Sequence, residues 1–123
     1  MNSKLFLSLI ILLTALAMGC VYESAEETFV IEKGTYQYYE FEILEYDIVD
    51  ISADTGNVPI NIYVLDSTNF NRYESLRTFD TMDIRVDTIK TQLSFEAPHD
   101  GKYYVVFESI DSDARIDVSY EIY

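Results

Sequence analysis

The sequence predicts an all-β fold: a single antiparallel two-sheet β-sandwich, jelly-roll-like, of seven to eight strands behind an N-terminal signal helix. Three observations carry this. From Phe29 onward apolar residues alternate with polar ones instead of recurring every third or fourth position. The alternating segments are rich in Ile, Val, Tyr and Phe, side chains that suit a pleated, half-buried surface. Turn-forming clusters separate them at near-regular spacing, with no helical pattern after the leader.

The leader comes first. Lys4 precedes an uncharged, largely apolar run over 5–18, closed by Gly19 and by Cys20, the single cysteine. A basic residue, a short apolar run and a small residue describe an export signal. The run is short for a permanent span, because a helix needs ~20 apolar residues to cross ~30 Å of hydrocarbon. Leu16-Ala17-Met18-Gly19-Cys20 resembles the lipobox of prokaryotic lipoproteins, whose cysteine is lipidated and becomes the new N-terminus. The resemblance implies a signal over 1–19, lipidation at Cys20 and a membrane-anchored protein facing the extracytoplasmic side. Three other uses stay open: an uncleaved anchor extended through Val21 and Tyr22, a secretory signal with Cys20 incidental, and Cys20 as a packing residue. An exported chain with one thiol has no internal disulfide to form, and a thioether to lipid gives that thiol a use.

Residues 20–28 carry Glu23, Ser24, Glu26 and Glu27 without a core-forming pattern, and read as a lipid-anchored tether to a sandwich domain over 29–123. Residues 29–31 make a short first strand and Lys33-Gly34 a turn. Over 36–44, Tyr39, Phe41 and Ile43 share one face, opposite Tyr38, Glu40 and Glu42. Residues 47–53 turn Val49, Ile51 and Ala53 inward, and Asp54-Thr55-Gly56-Asn57 makes a turn. Ile60, Ile62 and Val64 align over 59–65. Residues 66–76 lose the alternation and read as the longest loop, from which Phe70 and Tyr73 dock on the sandwich. A strand is expected over 79–85, and another over 88–96 with Ile89, Thr91, Leu93 and Phe95 on one face. After a turn over 97–101, residues 103–108 and 116–122 close the domain.

Eleven Tyr and seven Phe oppose disorder, despite a net charge of −14. Loss of Lys4 with the signal takes that charge to −15. Such a surface repels phosphate backbones, which argues against nucleic-acid binding, and repels anionic headgroups, so membrane attachment falls to Cys20 or the apolar segment.

Two pieces carry a family resemblance. Tyr39-Glu40-Phe41-Glu42-Ile43 and Asp100-Gly101-Lys102-Tyr103-Tyr104-Val105-Val106-Phe107-Glu108 resemble the early strand and the late Asp-Gly-x-Tyr-Tyr strand of bacterial pre-peptidase C-terminal domains. GOLD-type sandwiches of cargo-sorting proteins are similar. The resemblance covers most of 29–123 and implies an accessory module for protein or polysaccharide contact. Such domains usually follow a secreted hydrolase, and none precedes this one in the sequence, so no processing role is carried over.

Candidate chemistry is sparse, and no enzyme is expected. His99 is the single histidine, beside Pro98 in a turn, with no nucleophile-elbow pattern in the sequence. Tyr36, Tyr38, Phe70 and Tyr73 are candidate binding residues, since flat amphipathic rings suit peptide or sugar contact. Asp80, Asp83, Asp111 and Asp113 offer hard oxygens of the kind Ca²⁺ takes, without an EF-hand pattern, and solvated acidic turns are the plainer reading of them. No cofactor is otherwise implied. Tyr103, after Asp100-Gly101, fits a tyrosine corner. The reading is a non-catalytic, membrane-tethered module that binds an envelope protein or polysaccharide, with a carbohydrate- or calcium-binding accessory module as the alternative.

Overall fold

The computed structural model describes residues 8–12 and 23–123. In chain order the strands are β1 (Ser8–Leu12), β2 (Glu23–Ile31), β3 (Thr35–Ile43), β4 (Ile48–Asp54), β5 (Ile60–Asp66), β6 (Asp83–Thr88), β7 (Lys90–Glu96), β8 (Gly101–Ser109) and β9 (Ala114–Ile122), with helix α1 (Ser67–Glu74) after β5. Two antiparallel four-stranded sheets, β2-β9-β4-β7 and β3-β8-β5-β6, make the sandwich, and β1 lies parallel along the outer edge of β3. Among the described residues no helix is long and apolar enough to cross a membrane.

Alternation builds the core. Val49, Ile51 and Ala53 from β4 meet Tyr39 and Phe41 from β3, Ile62 and Val64 from β5, and Ile116, Val118 and Tyr120 from β9, all buried. Rings lock the centre edge-to-face: Tyr120 stands 5.3 Å from Phe41 and 5.6 Å from Tyr39 between centroids, within the range where such pairs add to area burial. Tyr103 is fully buried, and its hydroxyl donates to the His99 carbonyl at 2.6 Å, the bond of a tyrosine corner.

Four expectations need correction. Residues 23–28, read as tether, pair with β9 through Glu23 opposite Ile122 and Thr28 opposite Asp117. The inward positions of β2 include Glu23 and Glu27, which break the apolar alternation; Glu27 accepts the Tyr39 hydroxyl at 2.8 Å, and burial raises the Glu23 carboxyl above its usual pKa. Residues 8–12, placed by the sequence in a signal helix, run in the unprocessed chain as strand β1, paired in parallel with β3 at what is otherwise a sheet edge. The remaining leader and Cys20 lie outside the described residues.

Thirdly, residues 66–76 are mostly helix, not loop. Asp66 caps α1 by accepting the Asn69 N–H at 2.8 Å, and Arg77 N–H to Arg72 C=O (2.9 Å) with Leu76 N–H to Tyr73 C=O (3.2 Å) closes it in a Schellman arrangement. Two inward rings in eight residues leave little periodicity to read. Finally, the strand expected over 79–85 starts later, at Asp83, because Phe79 packs in the aromatic layer beneath α1.

Removing the Tyr103 hydroxyl leaves a carbonyl without its partner. Tyr103→Phe is expected to destabilise the fold by about 1–2 kcal/mol, read as a lower urea midpoint at unchanged m-value. An unchanged midpoint would show that the corner bond contributes nothing.

Candidate functional site

The structure brings Tyr36, Tyr38, Phe70 and Tyr73 together, on the outer face of β3-β8-β5 under α1. They cover one another. Phe70 stacks flat on Tyr104 at 4.0 Å, Tyr38 lies 4.7 Å from Phe70, and Tyr36 meets Tyr73 edge-on at 5.0 Å. Tyr36 and Phe70 are buried and the other two half-buried, so the cluster works first as a second core. Its hydroxyls end on two carboxylates: Tyr63 and Tyr73 donate to the two oxygens of Glu108 at 2.8 and 2.7 Å, and Tyr36 donates to Glu74 at 2.6 Å. Burial, then the adjoining carboxylates, push all three phenols up, Tyr63 to about 12. Tyr104 rises to about 12, through burial first and then Glu40.

The carboxylates named from sequence do other work. Asp83 pairs with Arg85 at 2.6 Å and Asp113 accepts the Lys33 N–H at 2.8 Å, while Asp80 is tied to Asn69 through its backbone N–H rather than its carboxylate. Asp111 is exposed in the loop before β9. Among the described residues no three His, Cys, Asp or Glu gather as a metal site would require. His99 is exposed, with its Nδ1 at 3.0 Å from the Asp100 carbonyl and 3.2 Å from the Tyr103 hydroxyl.

The feature with room for a partner is the outer face of the other sheet. Its cross-strand rows follow from register: Thr28-Asp117-Asp54-Lys90, then Glu26-Ser119-Ser52-Gln92, then Ser24-Glu121-Asp50-Ser94. Small side chains in the middle row leave two adjoining open depressions of about 660 and 480 Å³, both bordered by Glu26, Ser52, Gln92 and Ser119. Carboxylates flank that floor. Asp54 stands opposite Asp117 and Asp50 opposite Glu121, and like charges directly opposed on neighbouring strands are unfavourable. Hydroxyls moderate them: Thr28 donates to Asp117 at 2.6 Å and Tyr123 donates to Asp50. Lys90 is the single cation in these rows.

Sequence reasoning missed this face. Asp50, Ser52 and Asp54, like Asp117, Ser119 and Glu121, alternate visibly with core residues, but their opposition arises from register between strands far apart in the chain.

The model of the bacterial pre-peptidase C-terminal domain matches residues 35–109, from the start of β3 to the end of β8. The chain belongs to this family. Both strand motifs singled out above fall inside the match, with β2 and β9 flanking it. A pre-peptidase C-terminal domain of collagenase from Bacillus anthracis superposes with a TM-score of 0.57 at 13% identity, over 97% of this chain and 95% of that one. The periplasmic inhibitor of g-type lysozyme from Aeromonas hydrophila superposes with a TM-score of 0.64 at 11% identity, over 98% of this chain and all of the other. Its Salmonella Typhimurium counterpart gives 0.56 at 15%, over 94% and 97%. At such identities the likeness is one of fold. No match was found among curated protein sequences.

The buried tyrosines set a limit at alkaline pH. Their folded pKa values exceed the 10 of a free phenol, so above pH 10 the folded chain retains protons that the unfolded chain releases. Their contribution to stability is complete below pH 10 and is lost as pH climbs through about 12. Absorbance of ionised tyrosine and loss of β circular dichroism are expected to rise together in that window. Ionisation of all eleven tyrosines near pH 10 in a folded chain would contradict the burial described.

Proposed function

We propose that this protein is a non-catalytic binding module of the cell envelope, exported, anchored through a lipid on Cys20 and held on the extracytoplasmic side. It binds a protein partner through the acidic outer face of β2-β9-β4-β7. The observation that carries this reading is the opposition of Asp54 to Asp117 and Asp50 to Glu121 around a floor of Ser52 and Ser119. A cationic surface placed there removes the repulsion and fills the depression, so complementary charge contributes both attraction and steering. Family membership supports an accessory role, and the fold shared with periplasmic inhibitors of g-type lysozyme makes that enzyme class the first partner to test.

Titration of the purified full-length chain with a g-type lysozyme is the direct experiment. Binding is expected to weaken at least tenfold when salt screens the face and again in the combined variant D50N, D54N, D117N and E121Q. These substitutions keep the acceptor oxygens that Thr28, Tyr123 and the Gly56 N–H use, so the fold is retained. Failure of the unaltered chain to bind would remove g-type lysozyme as partner; undiminished binding by the variant would move the contact off this face.

The anchor has its own test. Mass spectrometry of the membrane fraction should show a chain beginning at lipid-modified Cys20. An intact chain from Met1 would refute the lipoprotein reading.

A further inference from the structure

Val21 and Tyr22 alone separate Cys20 from the first residue of β2. Three residue steps of fully extended chain reach only about 11 Å. With the anchor at Cys20, on which this inference rests, the Glu23 end of the sandwich is held at the bilayer.

The elements sharing that end are fixed by register and hydrogen bonds. Glu23 lies opposite Ile122, next to Tyr123, and Ile48 exchanges backbone bonds with Tyr123 at 2.6 and 2.9 Å. The turn between β3 and β4 joins the one between β7 and β8: Tyr46 N–H donates to the Ala97 carbonyl at 2.7 Å, and Glu45 N–H to Asp100 Oδ1 at 2.8 Å. The resulting pole presents Leu44, 61% exposed, and Tyr46, 67% exposed, with Tyr123 beside them. Tyr46 has φ +73°, in a turn closed by Asp47 N–H to the Leu44 carbonyl at 3.1 Å. That is a position where glycine is favoured and a bulky ring is not. The turn thus holds two large side chains outward in a conformation that local preference opposes.

We infer that this pole is a lipid contact: Leu44 and Tyr46 seat in the headgroup region and fix the sandwich with its strands rising from the membrane. Tyrosine suits that layer, with an apolar body and a polar tip, and a neighbouring leucine adds apolar burial. Charge sets the lipid preference. Asp47, which accepts the Leu44 N–H, and Asp100, which accepts the Glu45 N–H, lie with Glu45 in the same joined turns. A zwitterionic surface accepts this pole and an anionic one repels it. Leu76 and Ile110 are comparably exposed but belong to the opposite pole, where both border the depression beside Gly34 and Ser109, roughly 25–30 Å along the strands.

The experiment compares the two poles in the full chain, purified from bacterial membranes and reconstituted in phosphatidylcholine vesicles carrying a lipid-borne quencher. Leu44→Cys and Leu76→Cys each take a polarity-sensitive thiol dye. In the unaltered chain a Cys20 thioether takes none; dye uptake there would overturn the anchor, and the inference with it, whatever the poles do. Dye at position 44 is expected to emit to the blue of dye at 76 and to be quenched several-fold more, with the difference shrinking in vesicles rich in phosphatidylglycerol. Adding Tyr46→Gly should reduce that quenching by half or more without lowering the melting temperature. Equal emission and quenching of dye at 44 and 76, with no dye uptake by the wild-type chain, would overturn the lipid contact while leaving the anchor standing.

Discussion

Burial of β8 on both faces is the constraint on which the remaining structure depends. Tyr103, Val105 and Phe107 face the opposite sheet, while Tyr104 and Val106 point away from it and are also buried. An antiparallel sheet of a two-layer sandwich ordinarily leaves its outer side to water. Here the outer side of β8 is apolar, so a third layer has to cover it, and α1 supplies that layer with Phe70 flat on Tyr104. Burying one such ring contributes roughly 1.5–3 kcal/mol, more than an eight-residue helix of Ser, Asn and Thr character gains from its own propensity.

That third layer decides what the tyrosines do. With Tyr36, Tyr63 and Tyr73 donating into Glu74 and Glu108, each carboxylate at the layer's margin is satisfied by phenols. Such networks tie the helix to the sheet while using the polar tips that a ligand would otherwise engage. The opposite sheet is built differently. Its outer rows are Ser, Thr, Gln and carboxylate side chains with Lys90, and among the described residues no helix covers them. One sheet therefore buries both faces and the other keeps one wet, which is the ground for proposing recognition on the wet face.

The sandwich was legible because its strands alternate. Val49, Ile51 and Ala53, or Ile116, Val118, Tyr120 and Ile122, announce their inward face without reference to anything else in the chain. The Asp-Gly-x-Tyr-Tyr run also disclosed its own corner, since Tyr103 returns a bond only four residues back. What escaped was set by partners distant in sequence. Glu27 reads as tether until Tyr39 is seen to donate to it, and residues 67–74 read as loop until Tyr104 is seen beneath Phe70. The acidic face is the extreme case, because no residue in it is unusual by itself; the opposition of Asp54 to Asp117 exists only through a register spanning 63 positions.

Strand direction joins the anchor to the face. β2 is both the strand that follows Cys20 in sequence and an edge of the sheet that carries the acidic rows, so under the proposed anchor the short connection would limit that sheet's distance from the bilayer. If the proposed anchor holds the Glu23 end, β2 would run outward from the membrane, with Ser24-Glu121-Asp50-Ser94 nearest the lipid and Thr28-Asp117-Asp54-Lys90 about 13 Å higher at the ordinary strand rise. The depression between them then opens sideways, parallel to the membrane. With a Debye length of ~8 Å at physiological salt, the upper pair lies beyond the reach of headgroup charge while the lower pair does not. A cationic partner of the kind proposed would meet the full field of Asp54 and Asp117 first, and the same screening that frees this pair from the membrane would make the encounter sensitive to salt.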